Sequence, residues 1–200
     1  MLRQTYEDLH RHPELSGEEH RTAALVSSRL RDLGMQVHEG IGGTGVVGVL
    51  VNGTGPTVLL RADMDALPVT EETGLPYAST VPGVMHACGH DLHVTCLLGA
   101  AGELTSSRQA WSGTLVVLFQ PAEETVSGAA GMVADGLFDK VPVPDVVLGQ
   151  HVAPLPIGVI GLRPGPAFAA MQQRKLRFMA SFGQYLTGAR RAARRLGREF

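Results

Sequence analysis

The chain carries the stretch Met85-His86-Ala87-Cys88-Gly89-His90-Asp91-Leu92-His93, which places three imidazoles, a thiol and a carboxylate within nine residues. Imidazole nitrogen and thiolate sulfur are the usual protein ligands of zinc and of neighbouring transition metals. Two side chains separated by one residue in a loop, such as those of Cys88 and His90, can bind the same ion. A single buried cysteine or histidine is commonly part of a core, but this combination of ligand types favours a metal site.

The composition is that of a globular protein. The chain has 200 residues, 44% of them apolar, which is enough for one domain or for one domain and an incomplete second. No run of eighteen apolar residues occurs, and the N-terminus lacks a hydrophobic signal region. Two cysteines, Cys88 and Cys96, do not form a disulfide framework. We therefore expect a soluble protein of the cytoplasm with no membrane partner.

Charge is distributed unevenly along the chain. The net charge is −2, but residues 171–200 hold eight lysines and arginines and a single acid, Glu199. This segment carries +7, which leaves −9 for residues 1–170. A basic segment of this kind is typical of an arm that binds nucleic acid or a membrane surface.

Helical periodicity appears in three places. Residues 2–12 predict a short helix that ends before a proline, because proline disfavours helical geometry in the residue before it. Ser16 and Glu19 have the spacing of a capping box, and the helix they introduce is expected to end at Gly34. Residues 94–104 predict a further helix. It leaves Cys88 and its neighbours in the loop before the helix, where the helix dipole favours a thiolate.

Apolar runs predict strands between and after these helices. Residues 46–51 and 57–62 are separated by Asn52-Gly53-Thr54-Gly55-Pro56, which we interpret as a hairpin turn. Residues 115–120 form a continuous apolar run, typical of a strand buried on both faces of a parallel sheet, and residues 146–148 form another. Alternation of strands with helices predicts an α/β domain with a largely parallel sheet and helices on both faces.

Side chains suited to metal chemistry follow the ends of three of these strands. They are Asp63 and Asp65, Glu123 and Glu124, and His151. Ligands of open α/β sheets bind beyond the carboxyl ends of the strands, so these residues and the Cys88 loop are expected to converge. Of two adjacent carboxylates, one can bind a metal while the other takes a proton from metal-bound water. The pattern therefore indicates metal-assisted hydrolysis.

Five stretches of the sequence together resemble the successive motifs of the metallo-amidohydrolases, the family of hippurate hydrolases, N-acyl-amino-acid amidohydrolases and auxin-conjugate hydrolases, related to aminoacylase and carboxypeptidase-type enzymes. They are Asp8-Leu9-His10-Arg11-His12-Pro13-Glu14-Leu15-Ser16, Leu60-Arg61-Ala62-Asp63-Met64-Asp65-Ala66-Leu67-Pro68, residues 85–93, Phe119-Gln120-Pro121-Ala122-Glu123-Glu124 and His151-Val152. The resemblance covers residues 5–170. It implies the zinc-exopeptidase type of catalytic domain, a three-layer α/β sandwich with a mostly parallel central sheet.

The resemblance also implies roles for individual residues. It implies two divalent ions, with manganese, zinc and cobalt left open, held by Cys88, His90, Glu124 and His151. Glu123 is then the general base that activates the bridging water, and Asp65 supports the ligands through outer hydrogen bonds. His86, Asp91 and His93 are interpreted as structure of the loop and of the helix start. The implied reaction is hydrolysis of the amide that joins an acyl group to an amino acid.

The sequence departs from the family pattern after residue 170. Family members continue into a lid or dimerisation domain, through which they are expected to form homodimers, and then return with a last ligand histidine. This chain has no histidine after His151. We therefore expect residues 1–170 to be the N-terminal part of a truncated catalytic domain that lacks the lid, and residues 171–200 to be a frameshift-derived or non-native tail.

Two functions follow from these observations. The first is a metal-dependent hydrolase of N-acyl amino acids, impaired in this chain because the last ligand and the lid are lacking. The second is a non-catalytic metal-binding module whose basic segment binds nucleic acid or a protein partner. The first is favoured, because a binding module has no need of Glu123 beside Glu124 together with the Cys88 and His90 loop.

Overall fold

The computed structural model describes residues 2–156 and 158–161. The chain divides into two compact units, residues 1–152 and residues 153–200. In the second unit the description covers a short turn, in which the Val159 N–H donates to the Pro156 carbonyl at 3.1 Å. The basic segment 171–200, which the sequence analysis treats as a separate tail, lies outside the described residues. The first unit contains the predicted site.

Helices account for much of the first unit. They are α1 (Leu2–Arg11), α2 (His20–Asp32), α3 (His90–Ser106), α4 (Gly128–Ala134) and α5 (Leu137–Lys140), with a 3-10 turn at Arg108–Ala110. The three helices that the sequence analysis predicts are present as α1, α2 and α3. No helix in the described part of the chain combines the length and apolar character needed to cross a membrane.

Five strands form one sheet. They are β1 (Gln36–Ile41), β2 (Gly45–Asn52), β3 (Thr57–Asp63), β4 (Gly113–Gln120) and β5 (Val146–Gly149). Their spatial order is β1-β2-β4-β3-β5. The β3–β4 and β3–β5 pairs are parallel, whereas β1–β2 and β2–β4 are antiparallel. The α/β class is therefore confirmed, with a mixed sheet whose parallel half consists of β3, β4 and β5.

The predicted hairpin between β2 and β3 is wrong. Strand β4 lies between them, so that Val116 pairs with Val49 on one side and with Leu59 on the other. The physical reason is the apolar character of β4. Val116, Val117, Leu118 and Phe119 are all fully buried, and a strand buried on both faces gains most from a central position with a neighbour on each edge. The turn at residues 52–56 therefore reverses the chain without pairing the strands that flank it.

The core joins the first three helices to one face of the sheet. It consists mainly of apolar side chains from α1, α2, α3, β2 and β4, including Leu9, Leu30, Val94, Leu50 and Phe119. Burial of each such side chain stabilises the fold by about 1.5–3 kcal/mol relative to exposure. This packing fixes the N-terminal end of α3 against the sheet, close to the ends of β3 and β4.

The start of α2 differs from the predicted capping box. The Glu14 carboxylate, rather than Ser16 or Glu19, accepts the N–H groups of Arg21 and Thr22, each at 2.8 Å. The side chains of Ser16 and Glu19 make other contacts, described below. The end of the helix agrees with the prediction, since Gly34 has a φ of +72°.

Helix α3 begins four residues before the predicted start. His90 is its first residue, preceded by Gly89 with a φ of +81°. A Cβ atom at Gly89 would also lie 2.5 Å from a methyl group of Val152, so glycine alone fits both the backbone conformation and the space. His90 and His93 therefore share the first turn of a helix and the same helical face.

Candidate metal centre and its supports

The site lies where the parallel strands end. Asp63 is the last residue of β3 and pairs with Gln120, the last residue of β4, while β5 ends two residues before His151. The first turn of α3 reaches the same place, because α3 packs on β3. The convergence expected from the sequence is therefore observed, as the topology of a parallel sheet requires.

His90 is at the centre of this arrangement. Its ring is completely buried, and its Nε2 atom lies 3.6 Å from Asp63 Oδ2, 3.8 Å from Glu124 Oε1 and 3.9 Å from Glu123 Oε2. Among the described residues, neither His90 Nε2 nor Glu124 Oε1 has a hydrogen-bond partner. Buried polar atoms without partners are uncommon in native proteins, and a cation between them would satisfy both.

Asp65 fixes the orientation of the His90 ring. His90 Nδ1 donates to Asp65 Oδ1 at 3.2 Å, and Asp65 Oδ2 accepts from the Ser16 hydroxyl at 2.6 Å and from the Glu124 N–H at 2.8 Å. A carboxylate accepts hydrogen bonds only, so Nδ1 carries a proton and Nε2 is the nitrogen left to face a cation. This is the geometry in which carboxylates orient histidine ligands of metals.

Cys88 and His151 form the other side of the arrangement. The Cys88 thiol donates to His151 Nε2 at 3.4 Å, while His151 Nδ1 donates to the Val152 carbonyl at 2.7 Å. The His151 ring contacts the rings of both His90 and His93, with centroids 6.0 Å and 4.6 Å away. His151 therefore presents Nε2 towards Cys88 and His90.

Three groups of side chains in the described part of the chain have ligand atoms within 4.8 Å of one another. They are Cys88, His90 and His151; His90, Glu123 and Glu124; and Asp63, His90 and His93. All three groups share His90, and the first two contain all four ligands that the sequence predicts. Thiolate, imidazole and carboxylate together suit zinc, manganese and cobalt. The donor set and the partnerless buried atoms therefore fit a divalent cation.

Burial and neighbouring charges shift the acidities in the site. Burial, and then the Asp63 carboxylate, raise the pKa of Glu123, which brings this group towards the range of a general base. Burial by itself would lower the pKa of His90, but the hydrogen bond to Asp65 and the charge of Asp63 outweigh it and raise that pKa.

The expectation that the helix dipole holds Cys88 as a thiolate is wrong for the protein alone. Burial, and then the Glu124 carboxylate, raise the pKa of Cys88 to about 12. Burial and the neighbouring carboxylates outweigh the favourable effect of the helix end, so the thiol stays protonated when no cation is nearby.

Asp63 and His93 hold the structure around the candidate site together, a role that the sequence analysis does not assign to them. His93 is buried and donates from Nδ1 to Asp63 Oδ1 at 2.6 Å, while its Nε2 accepts the Val152 N–H at 2.9 Å. The Arg61 guanidinium donates to the other Asp63 oxygen at 2.5 Å. His93 thus holds the backbone next to His151. The three-residue spacing of His90 and His93 on one helix was the available signal.

His86 and Asp91 do not join any of these groups. Asp91 accepts from His10 Nδ1 at 2.6 Å and so connects α3 to α1, away from the ligands. His86 is buried, and burial lowers its pKa to about 4. The contact of Asp91 agrees with its interpretation as structure of the helix start, whereas neither ring nitrogen of His86 has a hydrogen-bond partner among the described residues.

A family model matches residues 59–198, and its description is peptidase family M20/M25/M40. The chain belongs to this family. The resemblance found in the motifs is thereby confirmed, since relatives of the chain include the hippurate hydrolase of Campylobacter jejuni, 52% identical over 147 residues. That match covers 73% of this chain and 38% of the relative.

Two further matches cover more of the chain. The N-acetyl-L-cysteine deacetylase of Bacillus subtilis is 44% identical over 170 residues, which are 84% of this chain and 40% of that protein. A crystal structure of a dinuclear metal-binding peptidase of family M20, also from Bacillus subtilis, has a TM-score of 0.78 and 39% identity over 84% of this chain and 47% of that one. The chain thus spans about two fifths of the length of these curated relatives.

Proposed function

We propose that this chain carries the water-activating centre of a metal-dependent hydrolase that cleaves the amide bond of N-acyl amino acids. The single observation that supports this most strongly is the position of His90. Its Nε2 atom faces three carboxylates, and its ring is shared by the groups that contain Cys88, His151, Glu123 and Glu124. This Nε2 atom is buried, faces carboxylates and has no hydrogen-bond partner among the described residues, which suits it to bind a cation.

The proposed ligands are Cys88, His90, Glu124 and His151, and Asp65 holds the His90 ring in the tautomer that leaves Nε2 available. Two divalent ions, manganese, zinc or cobalt, are proposed, in line with the dinuclear relative. Bound ions polarise the amide carbonyl and make water acidic, with a pKa near ~7 for water on zinc.

Glu123 is the proposed general base. Its carboxylate lies 3.9 Å from His90 Nε2, and its raised pKa suits a group that must accept a proton near neutral pH. Glu123 takes a proton from the attacking water as its oxygen bonds to the carbonyl carbon. The same proton then passes to the leaving nitrogen as the C–N bond breaks, which releases a carboxylic acid and an amino acid.

Hippurate and N-acetyl-L-cysteine are the appropriate test substrates, because two of the relatives are named for acting on them. We expect this 200-residue chain to bind Zn²⁺ or Mn²⁺ and to release amino acid slowly, because the family resemblance implies a further ligand histidine and the chain has none after His151. Amino acid release is measured with a fluorogenic amine reagent after treatment with chelator and again after addition of each metal.

Glu123→Gln provides the decisive variant. We expect it to bind metal within about threefold of the wild type by calorimetry and to lose at least 100-fold in turnover, the usual size of a general-base effect. Glu124→Gln should instead lose metal. Metal binding without turnover of either substrate would favour the non-catalytic module, and full turnover in Glu123→Gln would exclude the proposed role of that residue.

We also propose that the protein functions in the cytoplasm, since Cys88 and Cys96 are free cysteines and a reducing compartment keeps the thiol of Cys88 available. The division at residue 170 stays a prediction, as does a homodimer of longer relatives. Translation of the gene in all three frames downstream of codon 165 tests the division directly.

A further inference from the structure

The loop that carries Glu123 and Glu124 has an unusual backbone. Ala122 and Val126 have φ angles of +48° and +57°, in the left-handed region that side chains other than glycine seldom adopt. Each such residue costs on the order of 1 kcal/mol or more and persists only where surrounding contacts determine it. The conformation of this loop therefore depends on groups outside it.

Glu19 supplies one of those contacts. Its side chain is completely buried, and its Oε1 atom accepts the Ala122 N–H at 2.7 Å and the Gly17 N–H at 2.9 Å. Its other oxygen accepts a hydrogen bond from the Thr44 hydroxyl. No ion pair with Glu19 is found among the described residues. A buried carboxylate without a cation is costly, which makes three hydrogen bonds to it a specific arrangement.

Asp65 supplies the second contact, since it accepts the Glu124 N–H at 2.8 Å. The amide groups on the two sides of Glu123, those of residues 122 and 124, are thus each held by a buried carboxylate from another part of the chain. The loop closes on itself as well, because the Gly128 N–H donates to the Ala122 carbonyl at 3.1 Å. Ala122 is therefore the point at which the loop is attached.

We infer that Glu19 is a positioning residue: through the Ala122 N–H it sets the backbone from which Glu123 and Glu124 project. The contact is not required for α2, whose first N–H groups are accepted by Glu14. It reaches 103 residues along the chain to the loop with the proposed base and ligand. The catalytic consequence rests on the proposed function, whereas the effect on the loop does not.

Glu19→Ala and Glu14→Ala are matched variants, since the two glutamates are five residues apart and each carboxylate accepts two backbone N–H groups, one of them from the distant loop only in the case of Glu19. We expect Glu19→Ala to weaken Zn²⁺ binding by 10- to 100-fold, the range for contacts that orient ligands, and to change the visible spectrum of bound Co²⁺. Glu14→Ala should lower the unfolding temperature by a similar amount and leave affinity and spectrum unchanged. All measurements are made well below the unfolding temperatures.

Glu19→Gln is the conservative variant. Its amide oxygen can accept both N–H groups and its NH₂ can donate to the Thr44 hydroxyl, so we expect affinity and spectrum to return to within about threefold of wild type. Equal loss of metal affinity in Glu19→Ala and Glu14→Ala, or no loss in either, would overturn the inference.

Amide hydrogen exchange separates this inference from the proposed function. In metal-free protein we expect peptides spanning residues 120–127 to exchange at least tenfold faster in Glu19→Ala than in wild type, and at the wild-type rate in Glu14→Ala. Unchanged exchange in Glu19→Ala refutes the positioning role even if the wild type binds no metal. Faster exchange in a protein that binds no metal supports the role and refutes only the proposed function.

Discussion

Individual buried side chains hold the backbone next to the proposed ligands in place. His93 is the clearest case, because its ring lies between the Asp63 carboxylate and the Val152 N–H. Both of its nitrogens are engaged, which distinguishes it from His90, whose Nε2 has no hydrogen-bond partner among the described residues. His93 is therefore suited to orient His151 rather than to bind an ion itself.

Replacement of His93 by phenylalanine tests this role. The variant keeps a buried ring but loses both hydrogen bonds, so the backbone beside His151 loses its acceptor. We expect Zn²⁺ affinity to fall by about 10- to 100-fold in calorimetry, with far-UV circular dichroism unchanged. His12→Phe, at a half-buried ring just past the end of α1, is the control. Wild-type affinity in His93→Phe would show that Val152 is held by other contacts.

At this scale the sequence indicated the proposed ligands but not the side chains that support them. Cys88, His90 and Glu124 stand in short motifs whose residue types already carry the chemistry. Ser16 and Glu19 also matched a pattern, the capping box, but their side chains bond to Asp65 and Ala122 instead. A local rule cannot reveal this, because Glu14 takes over the cap and the true partners lie far along the chain.

At the scale of elements, an acidic side chain is one of the groups that attach the loop of residues 70–84 to α1. The Glu71 carboxylate accepts the Ser79 N–H at 2.6 Å and the Thr73 hydroxyl, and it contacts His10 Nε2 at 3.2 Å. Burial opposes its ionisation, but these hydrogen bonds more than compensate, so the pKa of Glu71 is lowered. The ionised form is thus favoured by the fold.

A lowered pKa has a definite consequence for stability. Between the folded pKa of Glu71 and its unfolded value of about 4.3, the unfolded chain binds more protons, so the contribution is present above that window and is lost as the pH falls through it. We expect Glu71→Gln to be less stable than wild type by about 1–3 kcal/mol at pH 7, and the difference to shrink as the pH falls from about 5 to about 3. Urea denaturation between these pH values measures the difference. Glu72→Gln, one residue further on, should show no such dependence, and a constant difference in Glu71→Gln would contradict the assignment.

Helices and strands could be predicted where the pattern of one segment is enough to identify them. The order of the strands could not, because it depends on how distant strands pair. Helical periodicity identified α1, α2 and α3, and apolar runs identified β2 to β5. The order of the sheet could not be obtained this way, because the glycine-rich turn at residues 52–56 is equally compatible with a hairpin and with a crossing. Only the need of β4 for a neighbour on each edge distinguishes them, and that is a property of the whole sheet.

At the scale of the whole molecule, the proposed ligands come from three segments, which are the start of α3 and the stretches that follow β4 and β5. Cys88 precedes α3, His90 begins it, Glu124 follows β4 and His151 follows β5. An ion bound by these side chains stabilises only the folded state. At an ion concentration 100 times the dissociation constant this amounts to about 2.7 kcal/mol.

Thermal unfolding tests that linkage. We expect Zn²⁺ or Mn²⁺ to raise the midpoint of the chelator-treated protein by about 5–10 °C, since 1 kcal/mol shifts a domain of this size by about 2–4 °C. His90→Ala should show no increase, because His90 belongs to every candidate group. An equal increase in His90→Ala would place the ion elsewhere.

The contact between Glu19 and Ala122 has a consequence for biosynthesis. A ribosome extends a chain from the N-terminus at roughly 5–20 residues per second, so Glu14, Ser16 and Glu19 emerge several seconds before the loop of Glu123 is made. The Glu19 carboxylate therefore stays solvated until β4 and the Ala122 N–H that it accepts have been synthesised. Deletion of the first twenty residues would then remove no ligand, yet it would leave a nascent metal centre without the surface on which it is assembled.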